Sequence, residues 1–141
     1  MNTIKIIYVA VIVQAVTAIS PECSAANGVM SAIYFFFAVM GDGVAQAAQS
    51  FLPPSLGTNR AVKVSVLLLV SAACLGMFNG ALSWCIAAGV PQIFTNSTEF
   101  VLIMKQSAPV MSFALLLHTA SMGSEGCLLA ARDMKFMTIC Y

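Results

Sequence analysis

Four apolar runs, separated by short polar or proline-bearing breaks, organise the chain. Residues 4–19 form the first, with Lys5 near its start and Ser20-Pro21-Glu22 at its end. It is short for a membrane span. A basic start, a short apolar stretch and small residues before a break also describe a secretory signal peptide; the other reading is a span cut short at its amino end. The second run, 28–52, closes on Pro53-Pro54 and Gly57. It carries Tyr34-Phe35-Phe36-Phe37, bulky enough for a lipid-facing wall, and turns to Gly, Ala, Gln and Ser from Gly41 onward. The third run, 62–89, holds Ser71, Asn79 and Ser83 inside an apolar stretch and is followed by Pro91. The fourth, 99–131, spans roughly 45 Å as a helix against a hydrocarbon core of about 30 Å, and Pro109 within it predicts a kink or tilt. A further apolar stretch begins at Met134. The pattern predicts an all-α polytopic bundle of about four spanning helices, forming one transmembrane domain over residues 1–141.

Composition makes the environment explicit. Hydrophobic residues are 60% of the chain, charged residues 8%, and the mean hydropathy is +0.95. A soluble domain carries roughly a quarter charged residues, so this surface meets lipid. The net charge of +1 gives no field for nucleic acid. Five cysteines (Cys23, Cys74, Cys85, Cys127, Cys140) form no C-x-x-C pair and read as small hydrophobes. There is no phosphate-binding G-x-x-x-x-G-K-[ST], no metal spacing and no G-x-S-x-G, so neither an enzyme nor a bound cofactor is expected.

The few charges define an orientation. Lys5, Arg60, Lys63, Arg132 and Lys135 fall on one side of the predicted crossings, whereas Glu22 and Glu99 fall on the other, with Lys105 the one base nearby. The excess of bases marks Arg60, Lys63, Arg132 and Lys135 as anchors on the cytoplasmic side or its organellar equivalent. Asn96-Ser97-Thr98, on the opposite side, is a formal glycosylation triplet that abuts a helix start.

Ionisable groups at membrane depth are costly and mark function. Asp42 sits between two glycines in the second run, and Gln46 and Gln49 follow at i+4 and i+7 on the same helical face. That stripe either lines a hydrated cavity or hydrogen-bonds to neighbouring helices. His118 and Glu125, seven residues apart, share a face of the fourth helix. A histidine titrates near neutrality and burial raises a glutamate toward it, so the pair suits the holding or passing of a proton. The plainer alternative is an interhelical hydrogen-bonder. Ala72, Gly76 and Gly80, four apart and including a literal GxxxG, predict a packing face.

The string from Phe35 to Pro53, Phe-Phe-Phe-Ala-Val-Met-Gly-Asp-Gly-Val-Ala-Gln-Ala-Ala-Gln-Ser-Phe-Leu-Pro, resembles the MATE (multidrug and toxic compound extrusion) transporters, closest to a plant and algal branch with members in plastid envelopes. Glu125-Gly126-Cys127-Leu128-Leu129-Ala130-Ala131-Arg132-Asp133-Met134-Lys135-Phe136 is similar to that branch's E-G-x-L-L-A-x-R-D-x-K-[FY] stretch; Asn59-Arg60 and Ile93-Phe94-Thr95 match in order between them. The resemblance implies twelve helices in two six-helix lobes, exporting an organic cation or another small organic solute in exchange for protons or sodium. This chain would supply the end of the seventh helix and the eighth to tenth, part of the carboxy-terminal lobe. A plastid envelope is then the expected membrane, with plasma and vacuolar membranes the other options. Two departures stand out. His118 falls where many members carry an acid, and Ala26-Asn27-Gly28 replaces a frequent Ala-His-Gln. A partial lobe cannot alternate access by itself. The competing expectation is a self-contained four-helix membrane protein with a structural or assembly role, associating through Ala72, Gly76 and Gly80.

Overall fold

A computed structural model describes residues 17–132 together with Val11, Gln14 and Ala15. The first predicted helix, 4–19, therefore falls largely outside the described residues, as do Lys135 and Cys140. Three long helices follow: α1 (Pro21–Phe51), α2 (Arg60–Trp84) and α3 (Thr98–Ala130). Each is long and apolar enough to cross a bilayer, α2 continuing through a π-helical turn at Cys85–Gly89. No strand occurs among the described residues. The protein is an all-α membrane bundle.

α1 begins at Pro21, two turns before the apolar run at Gly28. The reason is local chemistry rather than hydropathy. Ser20 is extended at the N-cap and its hydroxyl accepts from the Cys23 amide at 3.1 Å, Pro21 takes a first-turn position that needs no amide, and Glu22 meets the positive end of the dipole. At the other end, Pro53-Pro54-Ser55 tightens into a 3-10 turn and Gly57 adopts φ +82, a left-handed conformation that lets the chain reverse into α2. Pro109 lies inside a continuous α3, exposed in a groove beside Met77, Gly80, Ala81 and Trp84 of α2.

Small and large residues divide the bundle into two halves. Toward the ends of α1 and α3 the helices almost touch: a Cβ built on Gly126 would lie 2.6 Å from Ala45 Cα, and one on Gly123 would lie 2.7 Å from Ala72 Cβ. α2 runs antiparallel to both, with Gly76 against Leu116 and Thr119 and Gly80 against the Ser112 carbonyl. In the opposite half the space between helices is filled by Phe37, Phe100, Met104, Met111 and Leu115. Helix separation follows the side chains at the contact, so α1 and α3, which run parallel, are pinned at one half and held apart at the other.

Hydroxyls inside the bundle are satisfied within their own helices, as a medium without water demands. Thr119 Oγ1 donates to the Leu115 carbonyl at 2.9 Å and Ser112 Oγ to the Ala108 carbonyl at 3.0 Å. Asn79 is the exception. Fully buried, it donates from Nδ2 to the Phe37 carbonyl of α1 at 3.3 Å, while its Oδ1 accepts from no group in the structure.

Candidate functional site

The predicted polar stripe of α1 lies on the surface of the described residues. Asp42, Gln46 and Gln49 are all exposed, and Gln49 borders a cleft with Leu129 and Arg132 at the end of α3. What packs beneath them is the small-residue row Gly41, Ala45 and Ala48. The stripe also extends further than its acid and amides suggest. Asn27, Ser31, Tyr34, Ala38, Asp42, Ala45 and Gln49 follow one another at intervals of four or three residues, which keeps them on one side of a helix of 3.6 residues per turn.

α3 carries a matching row. Ser107, Met111, Ala114, His118, Ser121 and Glu125 recur at the same intervals. The two rows flank one seam. His118, half-buried, rests against α1: its ring lies 5.8 Å from that of Tyr34 at an interplanar angle of 59°, and its Cδ2 is 3.5 Å from the place a Cβ on Gly41 would occupy. The imidazole thus packs against Gly41, one residue before Asp42. Glu125 is also half-buried, beside the Gly126 contact. In this way the seam brings His118 of α3 against α1 beside Gly41, with Asp42 next in the chain and exposed, and Glu125 two turns further along α3.

Where α1 and α3 are held apart, the seam opens into a groove of about 600 Å³ walled by Asn27, Ser31, Tyr34, Phe35, Gln106 and Ser107. None of its lining residues is charged. At the other end a cleft of about 470 Å³ lies between Gln49, Leu56 and Arg132. Polar residues thus mark both ends of the seam, Asn27 and Gln106 at one and Gln49 and Arg132 at the other. The expected anchors Arg60, Lys63 and Arg132 are exposed and cluster at this second end, where α1 and α3 finish and α2 starts; Arg132 has φ +57 just past α3. Among the described residues no group of His, Cys, Asp and Glu forms a metal site.

The chain is similar to a known protein. Over 139 residues it is 32% identical to Protein DETOXIFICATION 47, chloroplastic, of Arabidopsis thaliana. The similarity covers 95% of this chain and 26% of that protein, so the chain spans about a quarter of its relative's length. No protein-family profile matches the chain, and no solved structure matches it.

Sequence reasoning had not singled out Asn27, Ser31, Tyr34, Gln106 and Ser107 as site residues. The signal was present in the spacing: the interval of four and three that links Asp42 to Gln49 runs backwards to Asn27. Ala72, Gly76 and Gly80 are buried between α2 and α3. A face already used inside the chain is not available to a second copy, which removes the interface on which the self-assembling alternative depended.

Proposed function

We propose that this chain is part of a membrane transporter of the MATE type, which exports a small organic solute in exchange for protons or sodium. The observation that carries it is the exposed stripe of Asp42, Gln46 and Gln49 at membrane depth. A carboxylate and two carboxamides facing hydrocarbon are costly; facing a hydrated solute path they are solvated. The similarity to a detoxification protein over nearly the whole chain supports the same reading. That relative is chloroplastic by name, which favours a plastid membrane for this protein.

In this reading His118 and Glu125 take up and release the coupling proton. His118 stands between Tyr34 and Gly41, so a change in its charge is felt directly at the α1–α3 seam. Asp42 and Glu125 are the acids beside that seam, and α2 carries charge only in its first turn, at Arg60 and Lys63. The test uses the complete translation product that contains this chain, reconstituted in proteoliposomes with an imposed pH gradient. Efflux of a fluorescent solute should fall in His118→Ala and in Glu125→Gln by more than the amount of folded protein falls. Unchanged efflux from pH 5 to 8 in both variants rejects the proton role.

A further inference from the structure

We infer that the outer groove between α1 and α3 is a subsite for a flat, uncharged organic solute that hydrogen-bonds through carbonyl, amide or hydroxyl groups. The inference rests on the transport reading above and names the solute class. The groove's volume of about 600 Å³ falls in the range of small-molecule sites, roughly 300–1,000 Å³. Its walls are mainly apolar, with Met30, Val110, Met111 and Ala114 beside an aromatic corner, and carry a few neutral polar groups, as such sites commonly do.

The corner is formed by Tyr34 and Phe35, whose rings meet edge to face at 5.7 Å and 77°. Opposite stand the carboxamide of Gln106 and the hydroxyl of Ser107, with Asn27 and Ser31 on the α1 side. Each carboxamide both donates and accepts, and each hydroxyl does the same. Such a lining satisfies a neutral polar solute in either sense.

Charge separates this solute from the alternatives. An organic cation entering the groove would leave water without meeting a carboxylate, because the seam's acids, Asp42 and Glu125, lie further along it. The ring of Tyr34 is already engaged by His118, which leaves the weaker Phe35 face as the aromatic surface of the groove open to a cation. A lipid chain is equally ill-suited, since Asn27, Ser31, Gln106 and Ser107 would face it unpaired.

The probes are 7-methoxycoumarin, flat and neutral, and ethidium, flat and cationic. Equilibrium dialysis against the protein in nanodiscs, with protein-free nanodiscs subtracted, measures binding. We expect saturable binding of 7-methoxycoumarin, weakened about tenfold by Gln106→Leu, which removes one net hydrogen bond. Val110→Trp, at a lining residue 72% exposed and outside the core, fills the groove and should abolish binding while the protein stays folded. Saturable ethidium binding lost in Val110→Trp would overturn the solute class. No saturable binding of 7-methoxycoumarin would overturn the subsite and leave the groove to another helix. Flux in proteoliposomes separates the two proposals. Binding of 7-methoxycoumarin without movement of either probe defeats the transport reading alone, and movement of ethidium without 7-methoxycoumarin binding defeats the subsite alone.

Discussion

Replacing Gly126 by alanine adds one methyl group at the tightest contact of the bundle. That methyl carbon would stand 2.6 Å from Ala45 Cα, 2.7 Å from the Ala45 carbonyl oxygen and 3.0 Å from Ala48 Cβ. Ordinary contact begins near 3.4 Å, so the shortfall is about 0.8 Å. The obstructing atoms are backbone, and no rotamer change relieves them. α1 has to move as a body, and the contacts between Gly41 and Thr119 loosen with it. Overpacking of this kind costs about 1–3 kcal/mol. Gly43 provides the internal control, because nothing lies within 4 Å of its missing Cβ. Both substitutions change glycine to alanine inside the same kind of helix, so the gain in helix propensity, about 1 kcal/mol, cancels in their difference. Unfolding of each variant in a lipid–detergent mixture titrated with SDS, followed through the reactivity of the half-buried Cys127 thiol, measures that difference. Gly126→Ala should be less stable than Gly43→Ala by about 1–3 kcal/mol. Gly123→Ala should fall between them, because its obstruction is the Ala72 methyl at 2.7 Å, and Gly41→Ala, at 3.4 Å, should resemble the control. Agreement of Gly126→Ala and Gly43→Ala within about 0.5 kcal/mol refutes the close-packed seam.

The exposed stripe makes a sharp accessibility prediction. In a background without reactive native thiols, cysteines at Asp42, Gln46 and Gln49 should react with a membrane-impermeant thiosulfonate in the complete protein, and cysteines at Phe36 and Val66 should not; equal silence at all five positions rules out a hydrated track. Asn79 donates one long interhelical hydrogen bond and leaves its oxygen unsatisfied. Asn79→Leu removes both the gain and the penalty and should shift SDS unfolding by less than about 1 kcal/mol. Asn79→Asp keeps an acceptor, loses the donor to Phe37 and should sharply lower the folded yield. Ser20→Ala removes the cap of α1 and should cost about 1 kcal/mol, read as roughly fivefold faster hydrogen exchange at the Cys23 amide; unchanged exchange would show that the cap contributes nothing.

How much of this was legible beforehand depended on the kind of signal each feature leaves. Lipid as the solvent follows from a charged fraction too small to cover a globule, and three of the runs show where the apolar stretches cross. Hydropathy could not see the start of α1, because Ser20, Pro21 and Glu22 act through a cap, a fixed φ and a dipole rather than through burial. Ala72, Gly76 and Gly80 announce a packing face by their spacing, but spacing does not name the partner. Gly123 and Gly126 close against α1 and α2 from an interval that matches no packing motif, and only the distances to Ala45 and Ala72 reveal them. The candidate site was legible in pieces for the same reason. Asp42 and His118 declare themselves through the cost of polar groups in hydrocarbon, each on its own helix. The imidazole comes to rest against Gly41 of α1, next to Asp42, and no spacing within either helix announces that contact. Neutral residues such as Asn27 and Gln106 cost less at membrane depth, so they leave a weaker mark in the sequence. They become candidates when two parallel helices, pinned by small residues at one half and separated by large ones at the other, place them on facing walls of one groove. The same unequal packing therefore opens the groove and fixes where along the bundle it lies.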